Sequence, residues 1–290
     1  MQHGPAVRRR KLGAELRTLR AQAGLTSGEA ARLAGWHQSK VSRIETGTSG
    51  SKPADVRLLL DVYGVADPQL RELMLALAGA DSGAGGGGGR DHWWHAYRGV
   101  LPPAYRDFIS LESQASAMRT LETTVVPGLL QTPEYARAVT LAAVEGLDEE
   151  QLDALVEVRL ARQDVLRAQP PLELSAVLDE AVLRREVGGP EVMARQLRRL
   201  AEASRTPQVS LQVLPFTAGA HIGVTGPFVI FSFARTSDLD VVVLDHLTSS
   251  LYLERKEDLQ AYAQAFNALR AHALSPGETS EYLAAVAGGA

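Results

Sequence analysis

Apolar residues recur at helical spacing through the first 80 residues. Leu12, Leu16 and Leu19 fall on one stripe, which predicts a helix over residues 9–23 that ends at Gly24. Capping residues and prolines predict four further helices, which begin at Thr26, Gln38, Pro53 and Pro68. Five short helices in so short a segment predict an all-α domain.

The segment Gly24–Gly47 has the layout of a helix-turn-helix pair. Gly35 allows a sharp turn between the two helices, and Val41 and Ile44 are predicted to face inward. The polar side chains of the second helix then face outward: Gln38, Ser39, Lys40, Ser42 and Arg43. Gln pairs with adenine and Arg with guanine, and Ser and Lys reach phosphates, so the Gln38–Thr46 helix is predicted to enter the major groove of DNA.

Residues 9–77 resemble the phage-repressor-like Xre/Cro family of DNA-binding domains, most specifically in the run SKVSRIETG. This resemblance implies that Gln38, Ser39 and Arg43 read bases and that Arg20 forms a buried ion pair with Glu45. It implies DNA-backbone contacts for Thr26, Ser27, Lys40 and Lys52, and we assign Ser42 to the same group. The sequence departs from the family pattern at Ala30, Trp36 and His37. A helical bundle that binds protein instead of DNA is the alternative.

Charge is divided unevenly along the chain. Residues 1–80 hold 12 basic and 7 acidic side chains, and the remainder holds 18 basic and 27 acidic ones, so the net charges are +5 and −9. A basic N-terminal segment on an otherwise acidic chain suggests that this segment alone binds a polyanion. Arg8, Arg9 and Arg10 would then contact phosphates, with a solvated tail as the alternative.

Residues 79–89, GADSGAGGGGG, predict a flexible linker, because glycine loses much conformational entropy when it is ordered. We therefore divide the chain into a helix-turn-helix domain at 1–78, a linker at 79–91 and a second domain at 92–290. The linker also contains a formal GxGxxG, which we reject as a nucleotide site because no strand precedes it.

The second domain is predicted to be α+β. Amphipathic segments near 111–121, 135–144, 152–166, 191–204 and 255–274 predict helices. Alternating apolar residues predict strands at 172–178, 209–214, 228–233 and 241–244. Pro127–Gly128 is predicted to be a structural turn with Leu129 and Leu130 buried.

Several segments of the second domain resemble a large group of actinobacterial Xre-type regulators, labelled antitoxin-like, whose C-terminal domain has no assigned function. These segments include WWHAY, VPGLLQTPEYARA, VLDEAVLRREVGG, SLQVLPF and GPFVIFSF, in family order. The resemblance implies a regulator that is frequently encoded beside a small partner protein. It names no ligand and no catalytic residue.

No catalytic constellation rises above chance in the second domain, so we predict that the protein is not an enzyme. Asp179 and Glu180 are adjacent and should point apart, which does not suit a carboxylate pair that acts on one bond. A triad assembled from Asp245, His246 and a nearby serine lacks a nucleophile elbow. Arg159, Arg162 and Gln163 could bind an anion or a partner, with a salt-bridged helix face as the alternative.

We predict no metal and no cofactor: cysteine is absent, and His92 and His95 lack a third ligand nearby. No segment is apolar for long enough to span a membrane, and a cytoplasmic protein is expected.

Because one helix-turn-helix contacts only a short half-site, a homodimer on double-stranded DNA is predicted. Two other roles stay open for the second domain: a receptor for an unidentified small-molecule effector, and the capture of a small neighbour-encoded protein.

Overall fold

The structure is a computed structural model that describes residues 4–46, 51–79, 90–97, 99–233, 240–247 and 249–288. Within these residues the chain divides into two compact units. One unit contains the described residues up to Trp93, together with residues 103–110 and 249–252. The other contains the remaining described residues. Residues 80–89 of the predicted linker lie outside the described part of the chain.

Five helices form the first part of the chain, which confirms the predicted all-α fold there. They span Gly4–Gln22 (α1), Ser27–Leu33 (α2), Gln38–Glu45 (α3), Pro53–Val62 (α4) and Pro68–Gly79 (α5). Their core consists of fully buried apolar side chains, among them Leu12, Leu16, Val41, Val56, Leu59, Leu60 and Met74. The first helix begins at Gly4 and not near residue 9, so Arg8, Arg9 and Arg10 lie within it and not at its N-terminus.

The second part of the chain is α+β, as predicted. Its helices span Pro103–Gln114 (α6), Pro133–Ala143 (α7), Glu149–Ala161 (α8), Glu180–Arg184 (α9), Pro190–Ala203 (α10), Lys256–His272 (α11) and Pro276–Gly288 (α12). Its strands span Ala117–Glu122 (β1), Glu173–Asp179 (β2), Val209–Leu214 (β3), Phe228–Ser232 (β4), Val241–His246 (β5) and Ser249–Leu253 (β6). The helix expected at 255–274 and the four predicted strands are present with small shifts at their ends.

The described strands form one mixed sheet in the order β3-β2-β1-β4-β5-β6. β1 pairs in parallel with β2, and β2 with β3, whereas β4 runs antiparallel to both β1 and β5. Parallel neighbours need a crossover connection, and helices supply both of these crossovers: α7 and α8 after β1, and α9 and α10 after β2. The carboxyl ends of β1, β2, β3 and β5 therefore lie at the same edge of the sheet.

The predicted helix near 111–121 is wrong in its second half. α6 ends at Gln114, and residues 117–122 form β1 in the middle of the sheet. The apolar residues of this segment are three or four apart, which matches a helix locally, but pairing with a strand on each side decides the conformation. Leu121, for example, lies opposite Val177 of β2 and Phe228 of β4.

One face of the sheet packs against α11. The buried side chains of Leu121, Val177, Phe228 and Val242 form a cluster with Phe266 and Leu269 of that helix. Phe228 and Phe266 meet edge to face, with 6.5 Å between ring centroids. Such aromatic pairs add about 0.5–1.5 kcal/mol beyond the burial of their area.

Candidate nucleic-acid interface

The exposed face of α3 carries the candidate base-reading residues. Gln38, Ser39, Ser42 and Arg43 are all exposed, whereas Val41 and Ile44 are 0% and 3% exposed. Helical spacing of about 100° per residue places the four polar side chains on one side and the buried ones on the other. The helix therefore presents an amide, two hydroxyls and a guanidinium on a single face.

A side-chain hydrogen bond ties the first residue of α3 to α2. Gln38 Nε2 donates to Ser27 Oγ over 3.0 Å. An amide group offers two N–H donors and one acceptor oxygen, so this bond uses one of the two donors. The pairing of a glutamine with adenine needs one donor and the oxygen, and it is therefore compatible with the bond to Ser27.

Thr26 caps α2 through a capping box. Its hydroxyl accepts from the Glu29 N–H over 3.2 Å and donates to Glu29 Oε2 over 2.7 Å, and its own N–H donates to the same oxygen over 2.8 Å. The Thr26 N–H and hydroxyl hold the pKa of Glu29 below its usual range. Both donors of Thr26 are thus engaged by Glu29, so a phosphate contact at Thr26 would compete with the cap.

The C-terminal end of α3 is fixed by an ion pair. Arg20 donates to the two Glu45 carboxylate oxygens, from Nε over 2.7 Å and from Nη2 over 3.0 Å. Their side chains are only 13% and 5% exposed, and the Tyr63 hydroxyl also donates to Glu45 over 3.2 Å. Arg20 Nη1 donates to the Leu25 carbonyl over 2.6 Å. The pair therefore joins α1 and α3 and also contacts the segment before α2.

Gly13 permits α1 to approach α3 closely. A Cβ at this position would lie 2.5 Å from the Ile44 carbonyl oxygen and 2.6 Å from that of Glu45. Real Cβ atoms do not approach backbone atoms so closely, so the position requires glycine although its φ is not positive. Gly13 thus sets how near the last turn of α3 lies to α1.

The remaining predicted DNA contacts differ in their surroundings. Lys52 is exposed at the N-cap of α4. Lys40 is only half exposed: its Nζ donates to Asp55 Oδ1 over 2.8 Å and lies 3.7 Å from the centre of the Trp36 ring. Arg9 is half-buried. The side chains of Arg8 and Arg10 lie outside the described part of the structure.

In the second part of the chain, three glutamines hold the loop that follows β1. Gln131 Nε2 donates to the Val126 carbonyl over 2.7 Å, Gln163 Nε2 to the Gln131 carbonyl over 2.8 Å, and Gln196 Nε2 to the Leu130 carbonyl over 2.8 Å. Leu130 is fully buried, as is the preceding leucine. The prediction of a structural turn here agrees with these contacts.

The three polar residues considered for anion binding on α8 and beyond have internal partners. Arg162 pairs with Glu112 through two hydrogen bonds of 2.7 Å, and the two side chains are 6% and 1% exposed. Arg159 Nη1 donates to Gln131 Oε1 over 3.1 Å. These contacts favour the alternative of a salt-bridged helix face over an anion site.

Comparison with protein families agrees with the fold. Residues 11–74 match a helix-turn-helix domain, and residues 105–285 match a domain of unknown function, DUF5753. The chain belongs to the DUF5753 family. Neither a curated protein nor a solved structure matches the chain. The helix-turn-helix match indicates a DNA-binding regulator, and the DUF5753 match assigns no ligand or activity to the second domain.

A half-buried carboxyl group, that of Glu122, lies at the end of β1 in the DUF5753 domain. The pKa of Glu122 is raised to about 7, chiefly by burial and also by the nearby Asp245, while the Thr120 hydroxyl, Arg162 and Arg159 limit the shift. Thr120 Oγ1 lies 3.1 Å from Glu122 Oε1. A carboxyl group of this kind is protonated in part near neutral pH.

Asp179 and Glu180 point to different partners, in agreement with the prediction that they do not act together. Asp179 accepts from the Ala181 N–H over 2.8 Å, and its other oxygen lies 3.8 Å from His221 Nε2. Glu180 accepts from the Phe216 N–H over 2.9 Å and from Arg184. Both carboxylates are therefore held by structural contacts around the short helix α9.

No group of three or more potential metal ligands occurs among the described residues. The side chains of His92 and His95 lie outside that part. None of the described helices is long and apolar enough to cross a membrane.

Sequence reasoning misses two residues whose side chains bond to α3 from outside it. Asp55 lies in the first turn of α4, and Tyr63 is the C-cap of the same helix. Nothing in the local sequence pattern distinguishes these two residues from their neighbours. Gly13 had a weak signal, since an isolated glycine within a helical pattern often has a packing reason.

Proposed function

We propose that the protein is a sequence-specific transcriptional regulator of the Xre/Cro-like type that inserts α3 into the major groove of DNA. Gln38, Ser39 and Arg43 read base edges in this proposal. The observation that carries it is the single exposed polar face of α3, held against α1 by the buried Arg20–Glu45 pair. A rigidly held reader loses little conformational entropy when it binds.

In this proposal, phosphate contacts flank α3, which is the base-reading helix or reader. Ser27, Ser42 and Lys52 lie on or beside α3 and at the start of α4, where hydroxyls, an ammonium group and helix N-termini suit phosphate oxygens. Thr26 is the N-cap of α2, next to Ser27. In this proposal it contacts a phosphate in place of its bonds to Glu29. Arg8, Arg9 and Arg10 add positive charge to a segment, residues 1–52, that already carries ten basic and three acidic side chains.

For the DUF5753 domain we propose self-association and the reception of a signal, as in an antitoxin-like regulator of the actinobacterial group, and no enzymatic role. In a dimer, the first DNA-binding domain to bind its half-site holds the second domain at a high effective concentration near the other half-site. Support comes from large apolar side chains at the surface: Phe216, Ile222 and Val224 are 59%, 52% and 76% exposed. A regulator of this type acts on chromosomal DNA in the cytoplasm.

Substitution of the predicted guanine reader tests the proposal. A random-duplex pool is selected with the full-length protein and with Arg43→Ala, and the enriched sequences are compared. We expect Arg43→Ala to lose about 1–3 kcal/mol of discrimination at one base pair, while preference at the other positions persists.

Arg17→Ala is the matched control, because it removes one exposed arginine from α1 and leaves α3 unchanged. It should retain the full base preference. If Arg43→Ala enriches the same motif as the wild type with the same strength, Arg43 is not a base reader.

A further inference from the structure

Lys40 differs from the four exposed polar residues of α3 in its place on the helix. The four exposed residues centre on one direction, and Lys40 lies about 130° away from it at about 100° per residue. Its neighbours around the helix are the exposed Arg43 on one side and the buried Ile44 on the other. Lys40 therefore lies at the flank of the reading face and not on it.

The ammonium group of Lys40 has two partners within the same domain. Its Nζ donates to Asp55 Oδ1 over 2.8 Å, and Asp55 belongs to the first turn of α4. The same Nζ lies 3.7 Å from the centroid of the Trp36 ring, in the turn that precedes α3. Side chains in a helix lean toward its N-terminus, which explains how Lys40 reaches a residue four positions earlier.

We propose that Lys40 is a positioning residue of the reading face and not a phosphate contact. The inference rests on the proposed DNA-binding function. By bonding Asp55 and covering the Trp36 ring, Lys40 fixes the first turn of α3 against α4 and against the turn before it. The Arg20–Glu45 pair fixes the last turn of the same helix. Both ends of the eight-residue reader are thus set by charged side chains that do not face the groove.

Phosphate contact and positioning predict opposite effects for Asp55. If Lys40 binds a phosphate, the Asp55 carboxylate competes with that phosphate for the ammonium group. Asp55→Asn would then free Lys40 and strengthen DNA binding. A lysine that positions α3 needs this carboxylate, so Asp55→Asn would weaken discrimination as Lys40→Met does. The methionine retains much of the apolar stem and removes only the charge.

The test measures binding of the full-length protein to two duplexes: one selected by the wild type from a random pool, and a scrambled duplex of the same composition. Kd is determined at several salt concentrations for wild type, Lys40→Met, Asp55→Asn and the double variant. We expect each single variant to reduce the affinity ratio of selected to scrambled duplex by about three- to tenfold, as a partly exposed ion pair and a cation–π contact allow. The double variant should lose no more than either single variant.

The salt dependence separates the two roles. Lys40→Met should leave the slope of log Kd against log salt unchanged, whereas Lys52→Met, the matched control for a phosphate contact, should reduce it by about 0.9. The inference is overturned if Lys40→Met reduces the slope as the control does, if it weakens both duplexes equally, or if Asp55→Asn preserves the affinity ratio. A folded wild type that selects no duplex refutes the proposed function and the inference together; any of the other contrary results refutes the inference alone.

Discussion

Removal of Arg20 tests whether the ion pair at the end of α3 stabilises the helix-turn-helix domain. The guanidinium donates twice to Glu45, and the two side chains are 13% and 5% exposed. Loss of one partner from a buried pair costs about 3–5 kcal/mol, because it leaves the other charge buried without compensation, whereas an exposed pair contributes about 0.2–1 kcal/mol. Arg20 is slightly accessible, so we expect about 3 kcal/mol for Arg20→Met.

Hydrogen exchange of the amides in α3 measures this loss in the full-length chain, without the need for the whole chain to unfold in one step. A loss of about 3 kcal/mol corresponds to roughly 150-fold less protection, at about 1.4 kcal/mol per tenfold change. The double variant Arg20→Met/Glu45→Met should recover much of this protection, since replacing a whole buried pair by apolar side chains is often neutral.

Arg137→Met is the control in the other domain, where the arginine pairs with the exposed Glu149 and Asp153. It should leave exchange in α3 unchanged. The reasoning is refuted if Arg20→Met lowers protection in α3 by less than tenfold, or if the double variant is as destabilised as the sum of the two single ones.

Three further predictions concern other positions. Gly13→Ala should destabilise the helix-turn-helix domain despite the higher helix propensity of alanine, because its Cβ would lie 2.5 Å from the Ile44 carbonyl; a melting temperature equal to or above that of the wild type would contradict this. Thr26→Ala should cost about 1 kcal/mol in denaturant unfolding through loss of the N-cap, and an unchanged midpoint would show that the cap contributes nothing. Burial raises the pKa of Glu122 from 4.5 to about 7, so its protonated form stabilises the fold below pH 4.5 and this contribution is lost as the pH rises through 7. Glu122→Gln should therefore gain stability relative to the wild type between pH 4.5 and 8 in urea titrations, and a difference independent of pH would argue against burial of the charge.

The sequence predicts correctly those features whose interacting residues lie close together in the chain. The capping box of Thr26 and the positive φ of Gly35 could be read from the sequence because the partners lie within a few residues. The buried face of α3 followed from helical spacing alone. By contrast, β1 was mistaken for helix because its conformation depends on strands that begin more than fifty residues later.

The candidate interface shows the same difference between features set by nearby residues and features set by distant ones. The outward direction of Gln38 and Arg43 follows from the position of Val41 and Ile44 in the sequence. The bond between Lys40 and Asp55 does not, because the two residues are fifteen positions apart and belong to different helices. The sequence therefore predicts which residues of α3 are exposed, but it does not show that the side chain of Lys40 is bonded to another helix.

Selection from a random-duplex pool by the full-length wild-type protein tests the central claim most directly. The account predicts that a defined sequence is enriched and that its affinity falls steeply with salt, as expected for a reader surrounded by phosphate contacts. A folded protein that enriches no sequence and binds every duplex equally weakly, even at low salt, would contradict it.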